Sequence, residues 1–143
     1  MKVRQVFYVF FFIVFSHIVM ASEDKNIGKQ LYKTHCESCH GITGGMNMSQ
    51  RVAPPIVGVR MHYIGTYSDK ESFVMAVADW VKKQDESKSL MRGAIRRFNI
   101  MPPVDINRED AEKIAAYIYA GDIEKPAGFE KHFQERHGKK NAM

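Results

Sequence analysis

The chain has 143 residues, 45% of them hydrophobic, and a formal charge of +5 at pH 7. That length suits one domain plus a removable leader, with a core of modest size. The positive balance is too mild for a nucleic-acid binder, and there is no internal repeat, Walker loop, G-x-S-x-G or paired-carboxylate pattern.

Residues 1–21 read as a secretory signal peptide. Lys2 and Arg4 form a positive start, Val6 to Phe15 is an unbroken apolar run, and Val19-Met20-Ala21 supplies a small-residue cleavage site. The run is shorter than the ~20 residues that span a bilayer, so cleavage is expected rather than an anchor. Residues 22–121 then form the domain and 122–143 a C-terminal extension. Loss of Lys2 and Arg4 leaves +3 on the mature chain. Export implies an oxidising space, for which a bacterial periplasm is the expected compartment, with no stable membrane span after cleavage.

Asp24 to His35 predicts a first helix, with Ile27, Gly28, Leu31, Tyr32 and His35 along one stripe. It runs into Cys36-Glu37-Ser38-Cys39-His40, which holds the only two cysteines of the chain. The pattern C-x-x-C-H reads as a covalent attachment site for one haem c. Positions i, i+3 and i+4 of a helical turn share a face, so two thiols and an imidazole point the same way. A zinc half-site would need a second ligand pair, and a thioredoxin-like pair expects a βαβ context. A plain disulfide would leave His40 unexplained.

Residues 41–65, broken by Gly41, Gly44, Gly45, Pro54 and Pro55, read as loop. Met46, Met48, Met61 and His62 lie in it as packing or surface residues, with axial ligation a lesser alternative for each. Ser68 to Lys83 predicts a second helix, capped by Ser68 or Asp69 and apolar along Phe73, Val77, Trp80 and Val81. Trp80 either packs in the core or donates its indole N–H to a haem propionate. Lys82 to Arg97 carries six basic residues against Asp85 and Glu86, which suits either a solvated face or a docking patch for an acidic redox partner.

Met101 is followed by Pro102 and Pro103, whose fixed φ angles stiffen the chain enough to hold a thioether against iron. Asn107 to Ala120 predicts the last long helix, with Asn107 as its cap, Ala111, Ile114, Tyr117 and Ile118 as its apolar face and Gly121 as its stop. Phe129 and Phe133 hint at a short helix in the tail.

This ordered set resembles the class I cytochrome c family over roughly residues 24–120. It comprises a helix with Gly28 and Tyr32, then Cys36-Cys39-His40-Gly41, a proline loop, Met101-Pro102, and a helix with Ile114 and Tyr117. The resemblance implies an all-α fold of about four helices around one covalent haem, the first and last helices crossing near Gly28. It implies haem attachment at Cys36 and Cys39, with His40 and Met101 as iron ligands. Pro55 is similar to the family's proline whose carbonyl accepts a hydrogen bond from the ligating imidazole, with Pro54 as the neighbouring alternative. The long basic segment and the tail depart from the smallest members. The expected function is one-electron transfer rather than enzymatic catalysis. The alternatives are a haem subunit of a periplasmic dehydrogenase or oxidase complex, or a gas-binding haem sensor.

Overall fold

The computed structural model describes residues 26–137; the predicted leader and the first two residues of the predicted first helix lie outside them. Among the described residues the fold is all-helical, without strands. Helix α1 spans 26–35. It is followed by α2 (Glu37–His40), α3 (Ile56–Ile64), α4 (Lys70–Lys82), α5 (Arg92–Phe98), α6 (Arg108–Ala120) and α7 (Phe129–His137), with single 3-10 turns at Met48–Gln50 and Glu86–Lys88.

The helix boundaries follow local chemistry. Asp69 caps α4 by accepting the Ser72 amide at 2.9 Å. Asn107 caps α6 by accepting the Asp110 amide at 2.8 Å. Each side chain satisfies an amide that a helix start leaves without a partner. Gly121 closes α6 in the left-handed conformation at φ 78°, where a glycine avoids the Cβ penalty.

The core lies where α4 meets α6. Ala111, Ile114, Ala115 and Ile118 recur at i, i+3, i+4 and i+7 and are all buried, facing Phe73, Val77 and Ala78. Phe73 is fully enclosed, with the rings of Tyr119 at 5.3 Å and Tyr63 at 6.3 Å meeting it edge-on. The ion pairs from Arg108 to Asp79 and Glu112 are exposed and contribute little beside this apolar contact.

Helix α1 crosses α6 at Gly28, as expected from the sequence. A Cβ built on Gly28 would stand 2.4 Å from the Lys113 carbonyl oxygen and 3.0 Å from the Tyr117 Cβ. The absent side chain is therefore what lets the two backbones touch. One turn on, the Tyr32 and Tyr117 rings pack at 5.6 Å.

The reading of residues 41–65 as loop is corrected over 56–64, which form α3. Pro55 is extended at its N-terminus and suits a helix start. Ile56, Val57, Val59, Met61, Tyr63 and Ile64 are apolar nearly all round the helix, so no amphipathic stripe announces it. Helices α2, α5 and α7 raise the count above the four expected.

Replacing Gly28 with Ala should destabilise the protein by about 1–3 kcal/mol, despite the usual gain of about 1 kcal/mol for alanine in a helix, because the new methyl must push the crossing open. Thermal unfolding checks this; a variant as stable as the parent would contradict so close a crossing.

Candidate cofactor site

Cys36, Cys39 and His40 come together on one turn. The amides of Cys39 and His40 both donate to the Cys36 carbonyl, at 3.2 and 2.9 Å, and the Gly41 amide donates to Glu37 at 2.8 Å. This winds positions 36, 39 and 40 onto one face. No disulfide joins Cys36 and Cys39 in the structure. Burial, with Cys39 adding to it, pushes the Cys36 thiol up to about 11.

His40 is held through one nitrogen. Its Nδ1 lies 2.8 Å from the Pro54 carbonyl oxygen. A carbonyl only accepts, so Nδ1 carries the proton and Nε2 keeps a free lone pair. The expectation that Pro55 accepts this bond is corrected. The Pro55 carbonyl is taken by the amides of Gly58 and Val59, at 2.9 and 3.2 Å, because it starts α3. The carbonyl one residue earlier is the one left for the imidazole. Burial pushes the His40 pKa down, the Pro54 bond opposes this, and the nearby Arg51 charge adds to it. The ring is thereby kept neutral, as a metal ligand must be.

The loop between His40 and Pro54 has a tie that the sequence did not announce. Arg51 is 8% exposed and spends its guanidinium on backbone carbonyls. Nη2 donates to Gly41 at 2.6 Å, Nη1 to Thr43 at 2.8 Å and Gly45 at 3.0 Å, and Nε to Ala53 at 3.1 Å. An irregular segment lacks the ladders of helix or sheet, and here one side chain replaces them.

Cys36, Cys39 and His40 open onto a cavity of about 360 Å³, and Met101 lines the same cavity. Its walls are mainly apolar side chains from α3, α4, α5 and α6, including Ile56, Val77, Ile95 and Ile114. Trp80 and His35 also face it, as does Met91, which the sequence reading passed over. Met46, Met48, Met61 and His62 are not among the lining residues. Among the described residues no cluster of three or more His, Cys, Asp or Glu is placed to hold a bare metal ion. Two thiols, an imidazole nitrogen and a thioether around an apolar chamber instead fit a covalently held haem.

The strand of chain carrying Met101 leaves α5 through an abrupt turn. Asn99 ends the helix at φ 66°, ψ 179°, a conformation that glycine adopts far more easily than asparagine. Past the turn, Ile100, 41% exposed, and Met101, partly buried, both line the cavity. Helix α5 lines the cavity with Ala94, Ile95 and Phe98 and leaves Arg92, Arg96 and Arg97 exposed. Lys82, from the same basic stretch, is committed instead to the Ile106 carbonyl.

Replacing Asn99 with Gly should remove strain of about 1–3 kcal/mol and raise the melting temperature. A lower melting temperature would show that the asparagine side chain outweighs the backbone cost.

A protein-family model described as cytochrome c oxidase, cbb3-type, subunit III matches residues 23–118. A curated relative, photosystem II extrinsic protein V of Cyanidium caldarium, is 27% identical over 105 residues, covering 69% of this chain and 64% of that protein. The chain thus spans just under two thirds of that relative's length. No solved structure matches significantly. The matched span contains both cysteines, His40, Met101 and every wall of the cavity. The chain accordingly belongs to this family of class I c-type cytochromes, small all-helical haem electron carriers with covalently bound haem c.

Proposed function

We propose that this protein is an exported one-electron carrier whose haem is ligated by His40 and Met101. The observation that carries the reading is an apolar cavity onto which Cys36, Cys39 and His40 open together with Met101. When bound, the haem supplies a one-electron iron couple. Cys36 and Cys39 are its thioether attachment points. His40 presents Nε2 because Pro54 holds Nδ1. Met101 offers a soft thioether, which favours the reduced state and a high potential. The apolar walls keep water out, and two fixed ligands leave little to rearrange as an electron arrives or departs.

The leader at 1–21 supports export to a periplasm. No helix among the described residues is long and apolar enough to cross a membrane. Residues 22–121 form the cytochrome domain in this reading, and the extension packs against it through buried Pro126 and Phe129. The exposed arginines of α5, which stands at the cavity wall, support docking of an acidic redox partner on that side. The family description names an oxidase subunit, and the curated relative is named as an extrinsic protein of a photosystem. Those names favour a second reading, a haem subunit within a larger complex; co-purification at fixed stoichiometry would distinguish it from a free shuttle.

Replacing Met101 with Ala should abolish the methionine-to-iron charge-transfer absorption of the oxidised protein and lower its potential. If neither changes, a different residue holds that side, with Met91 first in line. Electron transfer to an acidic partner should slow as salt shortens the screening length from ~10 Å at 0.1 M to ~3 Å at 1 M. Reversing the charges of Arg96 and Arg97 should flatten that dependence; an unchanged slope would remove α5 as the docking face.

A further inference from the structure

The loop from His40 to Pro54 begins at the ring and ends at the carbonyl that holds it. Between them one arginine gathers four carbonyls, from Gly41, Thr43, Gly45 and Ala53, spaced along the whole segment. Its first acceptor, Gly41, is the residue after His40, and its last, Ala53, is the residue before Pro54. Arg51 therefore ties down both ends of the span whose length sets the His40–Pro54 distance. We propose that Arg51 is a positioning residue for His40, and that its buried charge raises the reduction potential of the haem; this rests on the electron-carrier reading above.

The charge argument follows from what surrounds the guanidinium. Arg51 is buried, and none of the ion pairs among the described residues involves it. Carbonyl dipoles satisfy its N–H groups without cancelling its charge. In a poorly screened interior such a charge acts over a longer range than at the surface. Its guanidinium bonds the carbonyls of Gly41, the residue after His40, and of Ala53, which lines the cavity, so the charge stands beside the site. Reduction of the haem iron removes one positive charge from the same neighbourhood, so a fixed cation there favours the reduced form. The hydrogen bond from Nδ1 works through the ligand itself, and its length depends on how firmly the loop is held.

Two haem-loaded variants separate the two effects. Arg51→Lys keeps the charge and loses most of the carbonyl bonds. Arg51→Gln loses both. The readouts are the reduction potential, by spectroelectrochemical titration, and the exchange rate of the His40 Nδ1 proton, by NMR. Arg51→Lys should exchange that proton roughly tenfold faster, the equivalent of one lost hydrogen bond, while its potential stays near that of the parent. Arg51→Gln should exchange faster and also show a lower potential. An unchanged exchange rate in Arg51→Lys overturns the positioning role. An equal fall in potential in both variants overturns the charge role. If Arg51→Gln does not accumulate with haem, Arg51→Lys decides both points: retained potential supports the charge role and a fallen potential overturns it. In the unaltered protein the Nδ1 proton should exchange slowly; complete exchange within mixing time overturns the tie without any variant. Loss of the methionine–iron band in the parent would instead sink the electron-carrier reading, so the two failures are distinguishable.

Discussion

The 2.8 Å contact between His40 Nδ1 and the Pro54 carbonyl organises the rest of the site. A histidine that offers Nε2 to iron must have Nδ1 occupied, or the ring is free to turn. Meeting that requirement places demands on a long stretch of chain. The loop after His40 must return to the ring after fourteen residues. It must do so without regular structure, and its own carbonyls must find donors. Arg51 supplies those donors from a buried position. Helix α3 then begins one residue after Pro54's successor, which takes the Pro55 carbonyl out of contention and leaves that of Pro54. The tail adds weight from outside: Phe129 is buried, with its ring near Gly58 at the start of α3.

The part of the wall that carries Met101 has a separate origin. Met101 belongs to the short link between α5 and α6, and α6 is fixed by its packing on α4 and its crossing with α1. Phe73, Ile114 and the small residues Ala78, Ala111 and Ala115 bring α4 and α6 close. Gly28 brings α1 onto α6, and α1 leads directly into Cys36. The cysteine turn is thus joined to α6 where α1 crosses it, and α3 is joined to α6 as well, with Arg60 donating to the Tyr119 carbonyl. Packed cores of this kind resist small displacements, which would suit the proposed ligation of one iron by His40 and Met101.

What could be read in advance depended on range. Cys36, Cys39 and His40 lie within one helical turn, so their common face is a local fact. The caps Asp69 and Asn107 and the stop at Gly121 are local as well, and the structure places them where the sequence suggested. Met101 stood out because its two prolines are adjacent to it, and the structure places it on the cavity wall. Helix α3 was not legible, because Ile56 to Ile64 is apolar on nearly every side and periodicity carries no signal there. The exchange of Pro55 for Pro54 is a shift of one residue, decided by where that unseen helix begins. Arg51 had no signature at all: its partners are backbone carbonyls at four positions, and any residue type supplies a carbonyl. Met91 reaches the cavity only through the placement of α5, a tertiary fact. The part of the site written in neighbouring side chains was readable, and the part written in backbone was not.

The central proposal is that His40 and Met101, which line one chamber, would both hold the haem iron. NMR of the reduced protein tests it most directly, because a methyl group held over a haem face is displaced far from its usual frequency by the ring current. One of the seven methionine methyls left once the leader takes Met1 and Met20 with it should be displaced in this way, and assignment should identify it as Met101. Methionine methyls that all resonate in the ordinary range, or a displaced methyl belonging to Met91, would contradict the account.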